Sequence, residues 1–403
     1  MTEKSENQIS SLQPKLVVGI ALALAFSLLL ATIFLPKNDS YILYFDSPTD
    51  TKTSLPAIPN TPSTTDVEDT SSVESSKVSS TAETSSVVST VSSTPVVVEE
   101  NNIINYKSRQ TYSMMWKGIE NLCKEYPEFL SYSVYGKSTK GRSLPLVKMG
   151  TGAKKGLIVA GIHGTEHITT TYALRCIEDY CRAYVNGGRY GNYNLVDLFN
   201  KYTLYIVPNC NPDGSEIAHN GDSPLVSVAN FKRWEYKANA NGVNLNRNFP
   251  FYFDGINLMK NPKPDNEYYK GPSGGSEIET KELMELCNEN SFSFMLSLHA
   301  RGNITYWSDV ITPNAGGITS GLCSKIQSVT GIVKTSSPTS NPSSYGGGFE
   351  NWFRYTYQRP GICVELMNAG ITGSTSGNEQ NFDSHTIWYK TKYLFALTMD
   401  YVS

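Results

Sequence analysis

Apolar and polar positions divide the chain into three stretches of unlike pattern. Residues 16–35, LVVGIALALAFSLLLATIFL, are twenty consecutive positions without a charge. At about 1.5 Å rise per residue, a helix of that length spans roughly 30 Å, the hydrocarbon thickness of a bilayer. Lys15 and Lys37 bracket the run, so flanking charge alone does not choose an orientation. A cleaved signal would have a shorter apolar run and a small-residue cleavage site, whereas this run ends in Thr32-Ile33-Phe34-Leu35-Pro36. A retained single-pass anchor is the favoured reading; cleavage of 16–35 would give a secreted form instead. Between Thr51 and Glu100, 23 of 50 residues are Ser or Thr and none is Gly or aromatic. Such a stretch cannot bury enough apolar area to offset its ordering entropy, so it reads as a disordered linker. Taken as 36–104, the linker's 69 residues have an r.m.s. reach of roughly 45 Å. The expected organisation is a cytoplasmic tail (1–15), a transmembrane anchor (16–35), this linker (36–104) and a folded head (105–403) outside the cell membrane.

In the head, short apolar runs alternate with helix-period patterns, which predicts an α/β fold. The strand-like runs are Leu144–Met149, Gly156–Gly161, Thr203–Val207, Phe292–Leu298 and Gly361–Leu366. Pro145 demotes the first to an edge strand. Helices are expected over Thr111–Tyr126, His167–Val185, Glu277–Asn290 and Ser384–Val402, the third opened by a capping box at Ser276-Glu277-Ile278-Glu279. No internal repeat is visible. The overall hydrophobic content of 39% therefore averages an anchor, a stalk and one enzyme-sized domain. A net charge of -3 supplies no basic field, which argues against a nucleic-acid partner. Seven cysteines in no C-x-x-C spacing read as small buried hydrophobes rather than a metal cluster.

Candidate chemistry gathers at strand ends. His163 stands in GIHGTEH directly after an apolar strand, with Glu166 three residues on, and His299 ends the strand of FMLSLHARGN. Two imidazoles and a carboxylate form the donor set of a catalytic zinc site that leaves a coordination position open. An i,i+3 pair on a loop entering a helix can face one ion, with the third ligand from a distant strand. His167 would be turned away by the helix entry, and neither His219 nor His385 has metal spacing.

The head resembles the zinc metallocarboxypeptidases, the family of the pancreatic carboxypeptidases and of bacterial cell-wall peptidases. The resemblance rests on eight ordered blocks: YGKSTKGRSLPLVKMGTG, GIHGTEH, PNCNPDG, KANANGVNLNRNFP, YYKGPSGGSEIET, SLHARGN, GGFENWF and GICVEL. It implies a single α/β domain with a mixed, mostly parallel central sheet flanked by helices on both faces. It implies one zinc ion held by His163, Glu166 and His299, and Glu365 as the general base for the attacking water. Asn246 and Arg247 match the pair that grips a substrate's terminal carboxylate, for which a planar guanidinium fork is suited.

Three positions depart from the family pattern. At the offset of the usual oxyanion arginine stands Lys237, with Arg233 as its rival. Asn244 replaces the aspartate that orients a ligand histidine, an exchange that can weaken metal binding. Tyr345 is the candidate for the family's mobile tyrosine, though its separation from Trp352 is two residues short. Glu350, two before that Trp, falls where the family builds its side-chain pocket, and a carboxylate there would favour a basic or amino-bearing residue. The expected protein is a tethered extracellular carboxypeptidase with a monomeric head, acting on basic C-termini or peptidoglycan stem peptides. The alternatives are a γ-D-glutamyl-diaminopimelate endopeptidase or amidohydrolase, and a surface-binding module with a weakened site.

Overall fold

The computed structural model describes residues 102–222, 228–229, 231–258, 263–336, 341–367 and 381–403. The proposed anchor lies outside them; among the described residues no helix is long and apolar enough to cross a membrane. In chain order the elements are α1 (Tyr112–Glu125), β1 (Leu130–Lys137), β2 (Ser143–Met149), β3 (Lys154–Val159), α2 (Ile168–Val185), β4 (Arg189–Tyr190), β5 (Tyr193–Asn194), α3 (Leu195–Lys201), β6 (Tyr202–Val207) and α4 (Pro212–Asn220). There follow α5 (Ile278–Glu289), β7 (Phe292–Ala300), β8 (Ile304–Tyr306), α6 (Thr319–Thr330), β9 (Val333–Lys334), α7 (Phe349–Tyr357), β10 (Gly361–Leu366) and α8 (Leu394–Val402).

Among the described residues, eight strands form one sheet in the order β1-β2-β6-β3-β7-β10-β8-β9. The central four, β6, β3, β7 and β10, run parallel, while β1, β2 and β8 join antiparallel to their neighbours. A parallel strand buried on both faces reads as an unbroken apolar run, which is why these four are evident in the sequence. Alternation then sorts their side chains into two cores. Ile158, Leu204, Leu296, Leu298, Ile362 and Val364 face α1, α2, α6 and α8. Leu157, Tyr205 and Met295 face α5 and α7 on the other side. The same alternation turns Ser297, His299, Cys363 and Glu365 away from the first core, toward the second face, at the strands' C-terminal ends.

The head begins earlier than the 105 boundary drawn from composition. Ile104 is 1% exposed in the core, and the buried Glu178 of α2 accepts the N–H groups of Ile103 (2.7 Å) and Ile104 (3.0 Å). The assignment of β2 to a sheet edge also fails, because β2 lies between β1 and β6. Its pairing with β6 starts only at Val147, so Pro145 faces β1 alone, beside the register shift between Val134 and Gly136. A missing N–H costs nothing where no second strand needs it. The capping box does not form. Ser276 Oγ donates to its neighbour Glu277, and Glu279 turns instead to the backbone N–H of Thr139 (2.9 Å) and to Asn239. The C-terminal pattern read as one helix is broken into Phe382–His385, Trp388–Thr391 and α8, with Ile387 at a positive φ of 51°. β1 was missed because, as the sheet's edge, it exposes Tyr132 and Val134 and shows no strong alternation.

Glu178 also takes a 2.8 Å contact from Arg182 Nη2. Replacing it by Leu leaves the N–H groups of Ile103 and the buried Ile104 without their acceptor and removes one of the partners of Arg182, which should cost about 3 kcal/mol. Urea unfolding of Glu178→Leu, with amide exchange at Ile103 and Ile104 rising together, is the check.

Candidate active site

The loop leaving β3 carries His163 and Glu166, and α2 begins at Ile168. His299 is the penultimate residue of β7, and Glu365 of the adjacent parallel β10 pairs with it in register. Two strand ends and one loop thus converge without any long side-chain reach. Glu166 is the hub. Its Oε1 lies 2.7 Å from His163 Nδ1, and its Oε2 lies 3.2 Å from both His299 Nδ1 and the Ala300 backbone N–H. The ligand atoms of His163, Glu166 and His299 all fall within 4.8 Å of one another, and all three residues are buried.

The electrostatics suit a cation. Burial alone would push the Glu166 carboxyl up, yet the charges of and hydrogen bonds to His163 and His299 hold it well below the usual carboxylate range. Burial opposes charge on His299 too, but its contact with Glu166 raises it to about 9. Imidazole plus carboxylate is the donor set of zinc. Glu365 behaves oppositely. Burial, then the Glu166 charge, pushes it up to about 8, and its buried Oε2 has no hydrogen-bond partner among the described residues.

Of the two candidate cations, only Lys237 reaches this cluster. Its ammonium lies 2.8 Å from Glu267 Oε1, and its charge acts on His163 and Glu365. Arg233 is exposed on a short turn, lies beside Gly221 and acts on His219, so it belongs outside the site. Tyr345 is 4% exposed, with its ring packed on Phe251 and Tyr252. Asn246 and Arg247 form a 3-10 turn, Leu245–Arg247. Asn246 Oδ1 accepts the Phe349 N–H at 2.8 Å, tying that turn to the start of α7. Arg247 and Glu350 sense each other's charge, and Glu350, 6% exposed, also acts on His299 and Glu365. All ten candidates except Arg233 and Tyr345 are therefore drawn into one region by contact or charge.

Asn244 has two tasks. Its Oδ1 faces His163 Nε2 at 3.2 Å and its Nδ2 donates to the Glu267 carbonyl at 2.7 Å. An aspartate could do the first and not the second, which accounts for the amide here. Glu267 itself was missed. Its loop is folded by Asp265, whose Oδ1 accepts the N–H groups of Glu267, Tyr268 and Tyr269. The one available signal was an acidic pair, Asp265 and Glu267, immediately before the YYKG block.

Residues 115–309 match the Peptidase_M14 family, zinc carboxypeptidases. The chain carries a zinc carboxypeptidase domain of this family. The gamma-D-glutamyl-L-diamino acid endopeptidase 1 of Lysinibacillus sphaericus is 29% identical over 276 residues, 66% of this chain and 67% of that protein. Carboxypeptidase A2 of Mus musculus is 25% identical over 205 residues, 50% of this chain and 47% of that protein. The chain thus spans about half the length of that animal relative. Among solved structures, bovine thrombin-activatable fibrinolysis inhibitor in complex with tick carboxypeptidase inhibitor superposes with a TM-score of 0.57 at 17% identity, over 74% of this chain and 98% of that one. The domain is a zinc-dependent peptide hydrolase.

Two expectations follow for this domain. Asn244→Ala removes the group that faces His163 Nε2 and should weaken zinc binding 10–100-fold, read by competition with a chromogenic chelator. Away from the ligands, the His167 and His219 rings meet edge to face at 3.9 Å. Burial, then the charges of His167, Arg109 and Arg233, depress the His219 pKa far below that of free imidazole. The folded protein therefore refuses a proton that the unfolded chain accepts near pH 6.5, so this contribution is complete above that pH and is lost as pH falls. At pH 5 the loss amounts to about 2 kcal/mol. Thermal melts at pH 7 and pH 5 should show a smaller drop for His219→Leu than for the unaltered protein.

Proposed function

We propose that the domain hydrolyses the amide bond preceding a terminal diamino acid, with the γ-D-glutamyl-diaminopimelate bond of peptidoglycan stem peptides as first candidate and C-terminal Lys or Arg of peptides as second. The observation that carries this reading is Glu350. Its carboxylate is buried near enough to Arg247 for their charges to interact, and its Oε2 has no hydrogen-bond partner among the described residues. A guanidinium and a carboxylate in one region complement a residue that bears a carboxylate at its end and an amine on its side chain. The name of the Lysinibacillus relative supports the same substrate class.

His163, Glu166 and His299 would hold the zinc ion, which supplies Lewis acidity to the carbonyl and acidifies the attacking water. Glu365 takes a proton from that water and delivers it to the leaving nitrogen; its raised pKa suits both steps. Lys237, fixed by Glu267, offers positive charge where the carbonyl oxygen becomes negative. Arg247, with Asn246, binds the terminal carboxylate. Residues 16–35 would anchor the chain in the membrane with the head outside, within reach of wall peptides.

The test is a panel of γ-D-glutamyl-diaminopimelate, C-terminal Lys and C-terminal Phe peptides, assayed with and without chelator. Amine-bearing leaving residues should be cleaved at least tenfold better than Phe, Glu350→Gln should erase that preference, and Glu365→Gln should lower kcat about 10²–10⁴-fold. Equal rates on all three peptides, or full turnover by Glu365→Gln, would refute the reading. Protease treatment of intact cells should release the head if the anchor is as proposed.

A further inference from the structure

We propose that Asn351 and Arg354 are positioning residues that aim one oxygen of Glu350 at the side-chain amine of the leaving residue. The inference rests on the reading of Glu350 as the pocket carboxylate and adds what holds it in place.

Arg354 is 1% exposed inside the second face of the sheet. Its Nη2 donates to Asp309 Oδ2 at 2.9 Å, and Asp309 is 0% exposed. Its Nη1 donates to the Gly361 carbonyl at 2.5 Å, the first residue of β10, and its Nε to Thr312 Oγ1 at 3.3 Å. Arg354 Nη2 also donates to Asn351 Oδ1, one turn back along α7.

A guanidinium has donors only, so it accepts just one orientation of the Asn351 amide: oxygen toward Arg354, nitrogen away. That nitrogen, Nδ2, then lies 3.2 Å from Glu350 Oε1 and donates to it. One carboxylate oxygen of Glu350 is thereby occupied, while Oε2 is left buried and without a hydrogen-bond partner among the described residues. A half-satisfied buried carboxylate is costly in a folded protein unless a ligand completes it. An ammonium group entering the pocket would do so. The relay Asp309–Arg354–Asn351–Glu350 also joins the 309–312 turn, α7 and β10, so its geometry is set by the scaffold rather than by a loop.

If Arg354 and Asn351 only glued α7 to the sheet, altering them would affect every substrate alike. The relay instead predicts a change confined to the amine. The experiment uses two peptides that share an acyl part and differ only in a C-terminal Lys or norleucine, with Asn351→Leu and the milder Asn351→Ser, whose hydroxyl remains available to Arg354. In both variants the Lys-to-norleucine ratio of kcat/KM should fall about tenfold, through a higher KM for the Lys peptide. Norleucine kinetics should stay within about twofold. An unchanged ratio in both variants, or a parallel loss on both peptides, would overturn the proposal. Glu350→Gln separates the two levels. Should it keep the Lys preference, the pocket reading and the relay fall together. Should it lose the preference while both Asn351 variants keep it, the relay alone is wrong.

Discussion

One buried carboxylate organises the catalytic end of this molecule. Glu166 touches His163 with one oxygen and His299 with the other, and the second oxygen also takes the Ala300 N–H from the end of β7. A group so placed is stable only while its charge is balanced. The loop after β3 and the tip of β7 are therefore held at a fixed distance by electrostatic need as well as by strand pairing. Glu365 enters the same field from the neighbouring strand and is pushed the other way, toward protonation. Two carboxylates a short distance apart thus acquire opposite tendencies, one to hold a cation and one to exchange protons, which is the division of labour that peptide hydrolysis requires.

Around this centre, polar side chains repeatedly do two jobs. Asn244 supports a ligand histidine and fastens the loop that carries Glu267; Glu267 in turn fixes Lys237. Asn246 ties the arginine turn to α7, the helix from which Glu350 projects. The consequence is that the groups proposed for metal binding, oxyanion charge and side-chain recognition share supports and are not independently adjustable.

The readily legible features were those that depend on local pattern. Buried parallel strands announce themselves as apolar runs, and the HxxE spacing with a histidine at a distant strand end pointed to the ligand trio. Spacing favoured Lys237 over Arg233 as the cation, and of the two it is Lys237 whose charge acts on His163 and Glu365. Glu267, Asp265 and Arg354 left little trace because long-range placement, not periodicity, gives them their roles. Pro145 misled for a related reason: a rule about strand interiors applies residue by residue, and this strand is interior over only half its length. The seven thiols belong to the legible class. All are free and six are buried; burial raises the pKa of each of those six. Apart from Cys363, whose Sγ lies within 4.8 Å of ligand atoms of His299 and Glu365, they behave as small hydrophobes.

Glu178, which grips the backbone of Ile103 and Ile104, also decides where tension on the chain would be felt. It sits ten residues into α2, about 15 Å along the axis from the helix's first residue. A pull on the polypeptide at residue 102 would load that carboxylate and the body of α2 before it reached the loop bearing His163 and Glu166. The grip thus acts as strain relief, sparing the ligand geometry from whatever moves the other end.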